Sequence, residues 1–425
     1  MRAALISAAS LLLGFAMLQM GNALQGTLLA LRGQAEGFPS FAVGAIMSGF
    51  FAGMGLGSFI APRIIRRSGH MRAFAAFASM ASAAALLHVL IVNIPAWLVI
   101  RAFTGFCFAG LLMTVESWLN ASVESRDRGG LLAVYAATGL GAGALGQLQI
   151  SLAPPTSFVL FAWVSVLLSL ALVPSSLSRA AAPGGEDLPE GKANIPAILK
   201  ASPFGAGAAL FMGMSVGSFF ALAPVFAQSR ELSTASLGLF MALATGAAMV
   251  SQWPLGRLSD KLSRRVVAST LAATTCAVLF VFWSAPTDRV ITLVLAACLG
   301  AVMFPTAAIA SAQVNDRVDR SHMVAAAGTL VLLSSSGAAS GPILTGFLMD
   351  RVGPNGFLIA LAAYQGAIAA LGVGRLIMRP SRGVHRRKTL PNMLQPVLGA
   401  LNAAGDAQGD LFAGLKRRRR GHNSQ

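Results

Sequence analysis

Two charged residues lie inside a long apolar stretch, where they could bind a proton or an ionic solute. Glu116 stands in "MTVESWLNAS", and Arg101 precedes it by fifteen residues. On a helix the two positions share a stripe of about 80°. A rise of ~1.5 Å per residue nevertheless separates them by about 22 Å. They cannot pair with each other, so each needs a partner on another helix or water in a cavity.

The setting of Glu116 gives two interpretations of its role. Of the fifteen acidic residues, it is the only one that we place well inside an apolar run. A charge at the centre of a bilayer costs about 2.5–3.5 kcal/mol or more, so such residues usually face the interior of a bundle. A carboxylate removed from water takes up a proton more readily. Glu116 either binds and releases a proton on a transport path or bonds neighbouring helices. Arg101 either contacts an anionic solute or gate, or reaches the membrane interface or bonds a neighbouring helix.

A set of amides accompanies the two charges. The first apolar run contains "LQMGNALQG", in which Gln19, Asn22 and Gln25 are three residues apart and therefore lie within a 120° arc of a helix. Gln147 follows a glycine-rich stretch in the fifth run. Amides donate and accept without charge, which suits polyhydroxylated or zwitterionic solutes. Hydrogen bonds between helices would explain the same residues equally well.

The elements that must hold these groups are membrane-spanning helices. The chain is 55% hydrophobic and 11% charged, whereas soluble domains carry about 25% charged residues. A hydrocarbon core of ~30 Å takes roughly 20 apolar residues as a helix. We therefore predict an all-α membrane protein with twelve transmembrane helices. They lie near residues 4–31, 41–61, 73–92, 96–121, 130–150, 157–174, 203–228, 235–256, 266–284, 290–312, 322–348 and 355–378.

The spans divide into two groups of six. Similar short basic connections follow spans 2 and 8, "PRIIRRSGHMR" and "GRLSDKLSRR", which indicates a six-helix unit used twice in two pseudo-symmetric bundles. We predict bundles over residues 1–174 and 203–378, with a polar linker over 175–202. A basic tail over 379–425 contains "KRRRR". The tail is predicted to be disordered, with anionic-lipid contact as the alternative.

Charge distribution sets the orientation and excludes several classes of protein. Loops after even-numbered spans hold fifteen Lys and Arg residues, and loops after odd-numbered spans hold four. Both termini and the linker are therefore predicted to be cytoplasmic. The formal charge of +17 lies mainly in loops and the tail, which argues against nucleic acid as a partner. The three cysteines have no metal-ligand spacing. We see no paired carboxylates and no nucleophile–base arrangement, so we expect no metal, no cofactor and no enzyme activity.

Several stretches resemble a known transporter family. "QWPLGRLSDKLSRR" resembles the signature loop of the major facilitator superfamily. Ser263 replaces that loop's second glycine, and the matching residues are Gly256, Leu258, Asp260, Lys261, Arg264 and Arg265. "RAFTGFCFAG" resembles the family's R-x-x-x-G element. "VESWLNASVESRDRGGLLAVY" and "LGQL" are similar to the YcaD-like bacterial branch.

The resemblance implies a cytoplasmic gate. Asp260 would sit near the start of span 5, beside Arg126 and Arg128. The first-half copy of the loop keeps Gly69 but has Arg66 where the acid should be. Asp316 and Asp319 precede span 11 and could supply the missing negative charge, which gives the hypothesis of a charge-swapped gate. The arginines would alternatively only fix the topology of the chain.

The resemblance also implies the function. We expect a monomeric secondary active transporter of the bacterial cytoplasmic (inner) membrane. It would move a small organic solute by alternating access, with the proton as its coupling ion and the lipid bilayer as its surroundings. Two alternatives remain open, namely a facilitative uniporter and a non-transporting sensor or assembly factor built on the same scaffold.

Overall fold

The structure, a computed structural model, describes residues 2–121, 128–176, 195–318 and 323–378. Apart from one 3-10 turn at Gln149–Leu152, the regular elements in these ranges are α-helices. They are α1 (Arg2–Ala35), α2 (Ser40–Ser68), α3 (His70–Leu90), α4 (Ile94–Ala121), α5 (Arg128–Leu148), α6 (Phe158–Leu170), α7 (Leu172–Ser176), α8 (Ile195–Ala201), α9 (Pro203–Ser229), α10 (Thr234–Lys261), α11 (Arg264–Ser284), α12 (Arg289–Met303), α13 (Pro305–Asn315), α14 (Met323–Val352) and α15 (Gly356–Met378).

The helices follow the predicted spans closely. Ten helical segments of the described chain are long and apolar enough to cross a membrane, and Phe158–Pro174 forms a shorter apolar segment. Helix α1 covers the first predicted span. The expectation of an all-α, multi-pass membrane protein is therefore confirmed. The count of twelve crossings and the location of the termini stay predictions.

Helix boundaries differ from the predicted ones at two basic ends. Span 2 was expected to end near residue 61, but α2 continues through Pro62 to Ser68. Helix α10 likewise continues to Lys261 rather than ending near residue 256. Apolar patterning marks only the part of a helix that lies in hydrocarbon, so polar terminal turns are missed. Gly256, Asp260 and Lys261 consequently belong to the end of a helix and not to a loop.

The tenth predicted span is interrupted near its middle. Helix α12 ends at Met303, and α13 begins at Pro305. Proline lacks a backbone N–H and is favoured at the first position of a helix. The chain therefore restarts its helix at Pro305 instead of continuing the earlier one.

The two halves of the chain repeat one packing pattern. In the first half, α1 packs on α5 and α6, α2 and α3 pack on α4, and α3 packs on α6. In the second half, α9 packs on α14 and α15, α10 and α11 pack on α12, and α11 packs on α15. Helices α1 to α6 thus correspond in order to α9, α10, α11, α12, α14 and α15.

The halves meet mainly through α2 against α14 and α5 against α10, with further contacts from α9 to α1 and α2. Gly44 of α2 lies against the backbone carbonyl of Pro342 in α14, where a β-carbon would overlap the oxygen. Gly346 of α14 lies in the same way against the carbonyl of Ser40. Small residues allow this close approach of two helix backbones.

Candidate functional site

The turns between helices define two ends of the bundle. One end carries the turns at residues 36–39, 91–93, 153–157, 230–233, 285–288 and 353–355. We call it the outer end, following the predicted orientation. The inner end carries Gly69 and residues 262–263 and 316–318.

The outer end is closed around the central helices of both halves. Seven consecutive residues of α9, Ala221–Ala227, are buried. Seven residues make almost two turns, so every face of α9 is covered there. Five consecutive residues of α1, 27–31, are buried in the same way.

A carboxylate joins the two halves at this closed end. Asp350 of α14 accepts a hydrogen bond from the backbone N–H of Ser40 at 2.8 Å and another from that of Phe41 at 2.9 Å. Helix α2 begins after Pro39, which provides no side-chain cap. The first N–H groups of a helix need acceptors and carry partial positive charge. Asp350, which belongs to the opposite half, provides both the hydrogen-bond acceptor and the negative charge.

Gln147 takes part in the same closure. Its side-chain oxygen accepts a hydrogen bond from the hydroxyl of Thr27 on α1. Its backbone carbonyl lies against Gly238 of α10, leaving no room there for a β-carbon. Gln147 is 2% exposed, so in this conformation it is packed between helices and does not line an open path.

Arg101 and Gln25 meet in the outer part of the first half. Nη1 of Arg101 donates to Oε1 of Gln25 at 3.1 Å, and the guanidinium lies 4.4 Å from the centre of the Phe50 ring. Arg101 is 4% exposed and Gln25 is fully buried. Arg101 therefore does not reach an exposed interface. Nε of Arg101, Nε2 of Gln25 and Oδ1 of Asn22 are buried without a hydrogen-bond partner.

Glu116 lies nearer the inner end and is exposed. Its Oε1 accepts a hydrogen bond at 3.0 Å from the hydroxyl of Tyr135 on α5. The Tyr135 ring stacks on Phe15 of α1, with ring centres 4.1 Å apart. Gln19, one turn after Phe15, approaches Gly139 of α5. Helices α1, α4 and α5 therefore bring an accessible carboxylate, a phenol and an amide to the inner half.

Sequence reasoning missed Tyr135, Phe15 and Phe50. Tyrosine occurs only twice in the chain, and a tyrosine in an aliphatic span was a signal that could have been used. Phe15 and Phe50 carried no such signal, because phenylalanine is an ordinary apolar residue of membrane spans.

At the inner end, Arg264 of α11 binds two carboxylates. Its Nη2 lies 3.2 Å from Oδ1 of Asp260, and its Nε lies 3.3 Å from Oδ2 of Asp316. Asp316 thus pairs within its own half, whereas the charge-swap hypothesis assigned it to Arg66. The reason is proximity, because α11 packs directly on α13, which ends next to Asp316.

Other residues of the predicted gate are divided between the described and undescribed parts of the chain. Arg66 lies in the last turn of α2 and is exposed, and Gly69, with a φ of 80°, follows the end of this helix. Arg265 is buried and donates to the carbonyl of Arg375 at 3.0 Å. Gly256 has open space around it, and Lys261 is exposed. Arg126, Asp319 and the side chain of Arg128 lie outside the described residues.

Arg230 at the outer end is a half-buried arginine of a different kind. It follows α9 and donates to three backbone carbonyls at the end of α11, those of Phe282, Ala285 and Pro286, at 3.1–3.4 Å. Burial lowers the pKa of its guanidinium. Carbonyl oxygens compensate part of this lost hydration.

Two of the cavities among the described residues differ in size and position, and the predicted path residues line neither of these two. One of about 240 Å³ lies at the outer end, lined by Gln34, Ser40, Val225, Gln228, Ser229, Met349 and Pro354. The other, of about 560 Å³, follows small residues of α10 and α12 such as Gly246 and Ala297. Within the described ranges, no group of three His, Cys, Asp or Glu side chains could hold a metal ion.

Comparisons with known sequences and structures agree with this architecture. A family model described as Major Facilitator Superfamily matches residues 11–342. The uncharacterized MFS-type transporter YcaD of Escherichia coli is 29% identical over 359 residues, 83% of this chain and 91% of that one. The uncharacterized MFS-type transporter YE1530 of Yersinia enterocolitica is 27% identical over 377 residues, 88% of this chain and 95% of that one.

Solved structures share the fold at low sequence identity. A mutant of the nucleoside transporter NupG superposes with a TM-score of 0.74 at 11% identity, covering 88% of this chain and all of that one. A bacterial homolog of the human lysosomal transporter Spinster, in an inward-facing and occupied conformation, superposes with a TM-score of 0.68 at 13% identity, covering 87% of this chain and 94% of that one.

Proposed function

Because the chain belongs to the major facilitator superfamily, we propose that it carries a small organic solute across the bacterial inner membrane by alternating access coupled to proton movement. Its sequence relatives are named as transporters, and the chain is a membrane transport protein, not an enzyme. The solute, the coupling ion and the cycle are the parts that we propose.

The proposed architecture is two six-helix bundles, residues 1–174 and 203–378, with twelve crossings and cytoplasmic termini. The linker over 175–202 and the basic tail over 379–425 lie on the cytoplasmic side. The repeated helix packing supports this division. Contact of the tail with anionic lipid and a monomeric state belong to the same proposal.

The observation that carries the proposal is the asymmetry between the two ends. The outer end is joined across the halves by Asp350, whereas Glu116 near the inner end is exposed. A carrier that exposes its site to one side at a time has one closed end in each resting state. The arrangement fits a state that faces inward.

The proposed cycle assigns a role to each predicted group. Glu116, held by Tyr135, takes up and releases the proton. The amides on α1 and Arg101 contact the solute, with Gln147 at the closure that must part for release to the other side. Arg264 with its two aspartates, together with Arg66 and the basic start of α5, forms the cytoplasmic gate that closes when the outer end opens.

A solute-independent experiment tests alternating access. Single cysteines replace Val225 at the outer cavity and Gln19 in the inner half, in a chain without its three native cysteines. Inverted and right-side-out vesicles are then labelled with a membrane-impermeant maleimide. We expect Gln19→Cys to react from the inner side and Val225→Cys from the outer side in a minor population. If each position reacts only with lipid-soluble reagents, the proposed central path is wrong.

A second experiment identifies the solute and the coupling. Thermal unfolding of the purified protein is screened against nucleosides, polyols, amino acids and carboxylates. Nucleosides are included because a structural neighbour is named as a nucleoside transporter. A stabilising compound is then offered to proteoliposomes with and without a pH gradient. Accumulation only with the gradient supports proton coupling, and equilibration without accumulation supports a uniporter instead.

A further inference from the structure

Arg101 is a buried cation without a counter-ion in the part of the chain that the structure describes. The acidic residues Glu36, Glu231, Asp260, Asp288, Asp316 and Asp350 lie at helix ends or turns, and the remaining acid in the described chain, Glu116, is fifteen residues along the same helix. The ion pairs found in the described residues involve Arg32 and Arg264 and leave out Arg101. Its positive charge is therefore not balanced by any described carboxylate.

Hydrogen bonding leaves the same group incomplete. A guanidinium has five N–H donors, and Nη1 of Arg101 donates to Gln25. Nε of Arg101 has no acceptor, and Nε2 of the adjacent Gln25 has none either. Both side chains are more than nine-tenths buried. Two unused donors, one of them charged, thus lie away from water on two side chains that are hydrogen-bonded to each other.

A purely structural role explains this arrangement poorly. The Arg101–Gln25 bond joins α4 to α1, and the Phe50 ring offers a favourable face to the cation. Two neutral side chains could join the same helices without the cost of burying an unpaired charge. Arg230 also has an Nε without a hydrogen-bond partner, but its Nη2 reaches three carbonyl oxygens, whereas the one hydrogen bond found for Arg101 goes to Gln25.

We propose that Arg101 and Gln25 form an anion-binding site and that the transported solute carries a carboxylate, sulfonate or phosphate group. This inference rests on the proposed transport function. The oxygens of one anionic group accept from Nε of Arg101 and from Nε2 of Gln25, which gives both unpartnered donors an acceptor and neutralises the charge. Asn22, one turn before Gln25, offers its unpaired carbonyl oxygen to a hydroxyl or ammonium group on the same solute.

The test compares anions with matched neutral compounds on the purified full-length protein. The probes are the sodium salts of benzoate, methanesulfonate and phosphate, with benzamide as the neutral match for benzoate. We expect at least one anion to raise the unfolding temperature saturably and benzamide to leave it unchanged. Phosphate stabilises many proteins without binding them. The rise in unfolding temperature is therefore compared between the wild type and Arg101→Met, because non-specific stabilisation by phosphate is the same in both.

Three variants separate binding from folding. Arg101→Met removes the unpaired charge and keeps the side-chain length, so we expect it to unfold at the same or a higher temperature without probes and to lose the anion effect. Arg101→Lys keeps the charge and retains part of the effect. Arg230→Met is the matched control, which lowers the unfolding temperature without probes and keeps the full anion effect.

The inference is overturned by any of three results. The first is that no anion stabilises the wild type. The second is that Arg101→Met keeps the anion effect, and the third is that Arg101→Met unfolds as early as Arg230→Met. The labelling of Val225→Cys and Gln19→Cys needs no solute. If those positions alternate while the anion experiment fails, only the anion site is wrong and the proposed transport function stands.

Discussion

Asp350 caps the first turn of α2 across the boundary between the two halves, with 2.8 Å from its Oδ1 to the backbone nitrogen of Ser40. Asp288 performs the same task at the same end of the bundle for α12, accepting from the backbone N–H of Ile291 at 2.9 Å. The difference is that Asp288 precedes the helix it caps, whereas Asp350 belongs to the opposite half. Of these two caps, only that of Asp350 must break when the outer end opens.

Asp350→Ala should therefore shift the protein towards the outward-open state. Hydrogen bonds to a charged group contribute about 1.5–3 kcal/mol, and exposure of Asp350 reduces this, so we expect a shift of about 1–2 kcal/mol. That corresponds to a roughly 5- to 30-fold change in the equilibrium. The measurement is the rate at which an impermeant maleimide labels Val225→Cys, which should rise by a similar factor.

Asp288→Ala is the matched control for this prediction. Loss of a helix N-cap costs about 0.5–2 kcal/mol of stability, so its unfolding temperature should fall. Labelling of Val225→Cys should stay at the rate of the parent protein, because the Asp288 cap lies within one half. Equal labelling of the two variants would mean that Asp350 is an ordinary cap and not a latch.

Gly44→Ala should also open the outer end, through crowding instead of lost hydrogen bonds. Its new methyl group would overlap the carbonyl oxygen of Pro342, and overpacking of this kind costs about 1–3 kcal/mol. We expect faster labelling of Val225→Cys, by about fivefold or more, and a lower unfolding temperature.

The same helix provides the control. At Gly55 of α2, the position that a methyl group would occupy has no neighbouring atom within 4 Å. Gly55→Ala should leave labelling unchanged and raise helix stability by up to about 1 kcal/mol. A Gly44→Ala protein with parental labelling and stability would show that the contact between α2 and α14 adapts easily.

The positions of the helices can be predicted from the sequence, because apolar runs mark the membrane-spanning part of each helix. Runs of about 20 apolar residues located the helices, and the basic connections after α2 and α10 indicated the duplication that the helix packing displays. The ends of those two helices were misjudged because they continue beyond the apolar run as basic turns. The break at Pro305 was missed because the hydropathy of α12 and α13 is continuous across it.

The sequence predicts where the site residues lie along each helix. It does not predict which residues of different helices contact each other. Periodicity placed Arg101 and Glu116 on one stripe of α4, and the residue types marked Gln25 as a polar group of α1. The contacts of Glu116 with Tyr135 and of Asp350 with α2 depend on how separate helices pack. No local pattern encodes that. The predicted partner of Asp316 was Arg66, but the observed partner is Arg264. This pairing also depends on how separate helices pack.

Arg264→Gln should have a small effect on stability. It removes two ion pairs, but the side chains of Asp260 and Asp316 are 44% and 57% exposed, and exposed pairs contribute about 0–1 kcal/mol each. A double-mutant cycle of Arg264→Gln with Asp316→Asn should give a coupling below about 1 kcal/mol, smaller at high salt. Thermal unfolding at low and high salt measures it. A larger, salt-independent coupling contradicts the prediction.

Arg66→Glu tests the charge-swapped gate. Reversal of this exposed charge should reduce solute uptake several-fold, because the inner end would no longer close against the start of α14. Asp319→Arg should restore part of the uptake in the double variant. Asp316→Arg as the second substitution is harder to interpret, since it also breaks the ion pair of Asp316 with Arg264. If every double variant transports as poorly as its worse parent, the pairing of Arg66 with Asp316 or Asp319 is wrong.

Glu116→Gln should uncouple transport from the pH gradient. Glutamine keeps the size of the side chain and still accepts from Tyr135, but it cannot bind a proton. For one proton per solute, the wild type should accumulate solute roughly tenfold for each pH unit across the membrane. The variant should only equilibrate the solute while keeping exchange between the two sides. Glu36→Gln, which alters the surface pair with Arg32, controls for the loss of a carboxylate and should accumulate solute normally. Gradient-driven accumulation at the wild-type level in Glu116→Gln would assign the proton to another group.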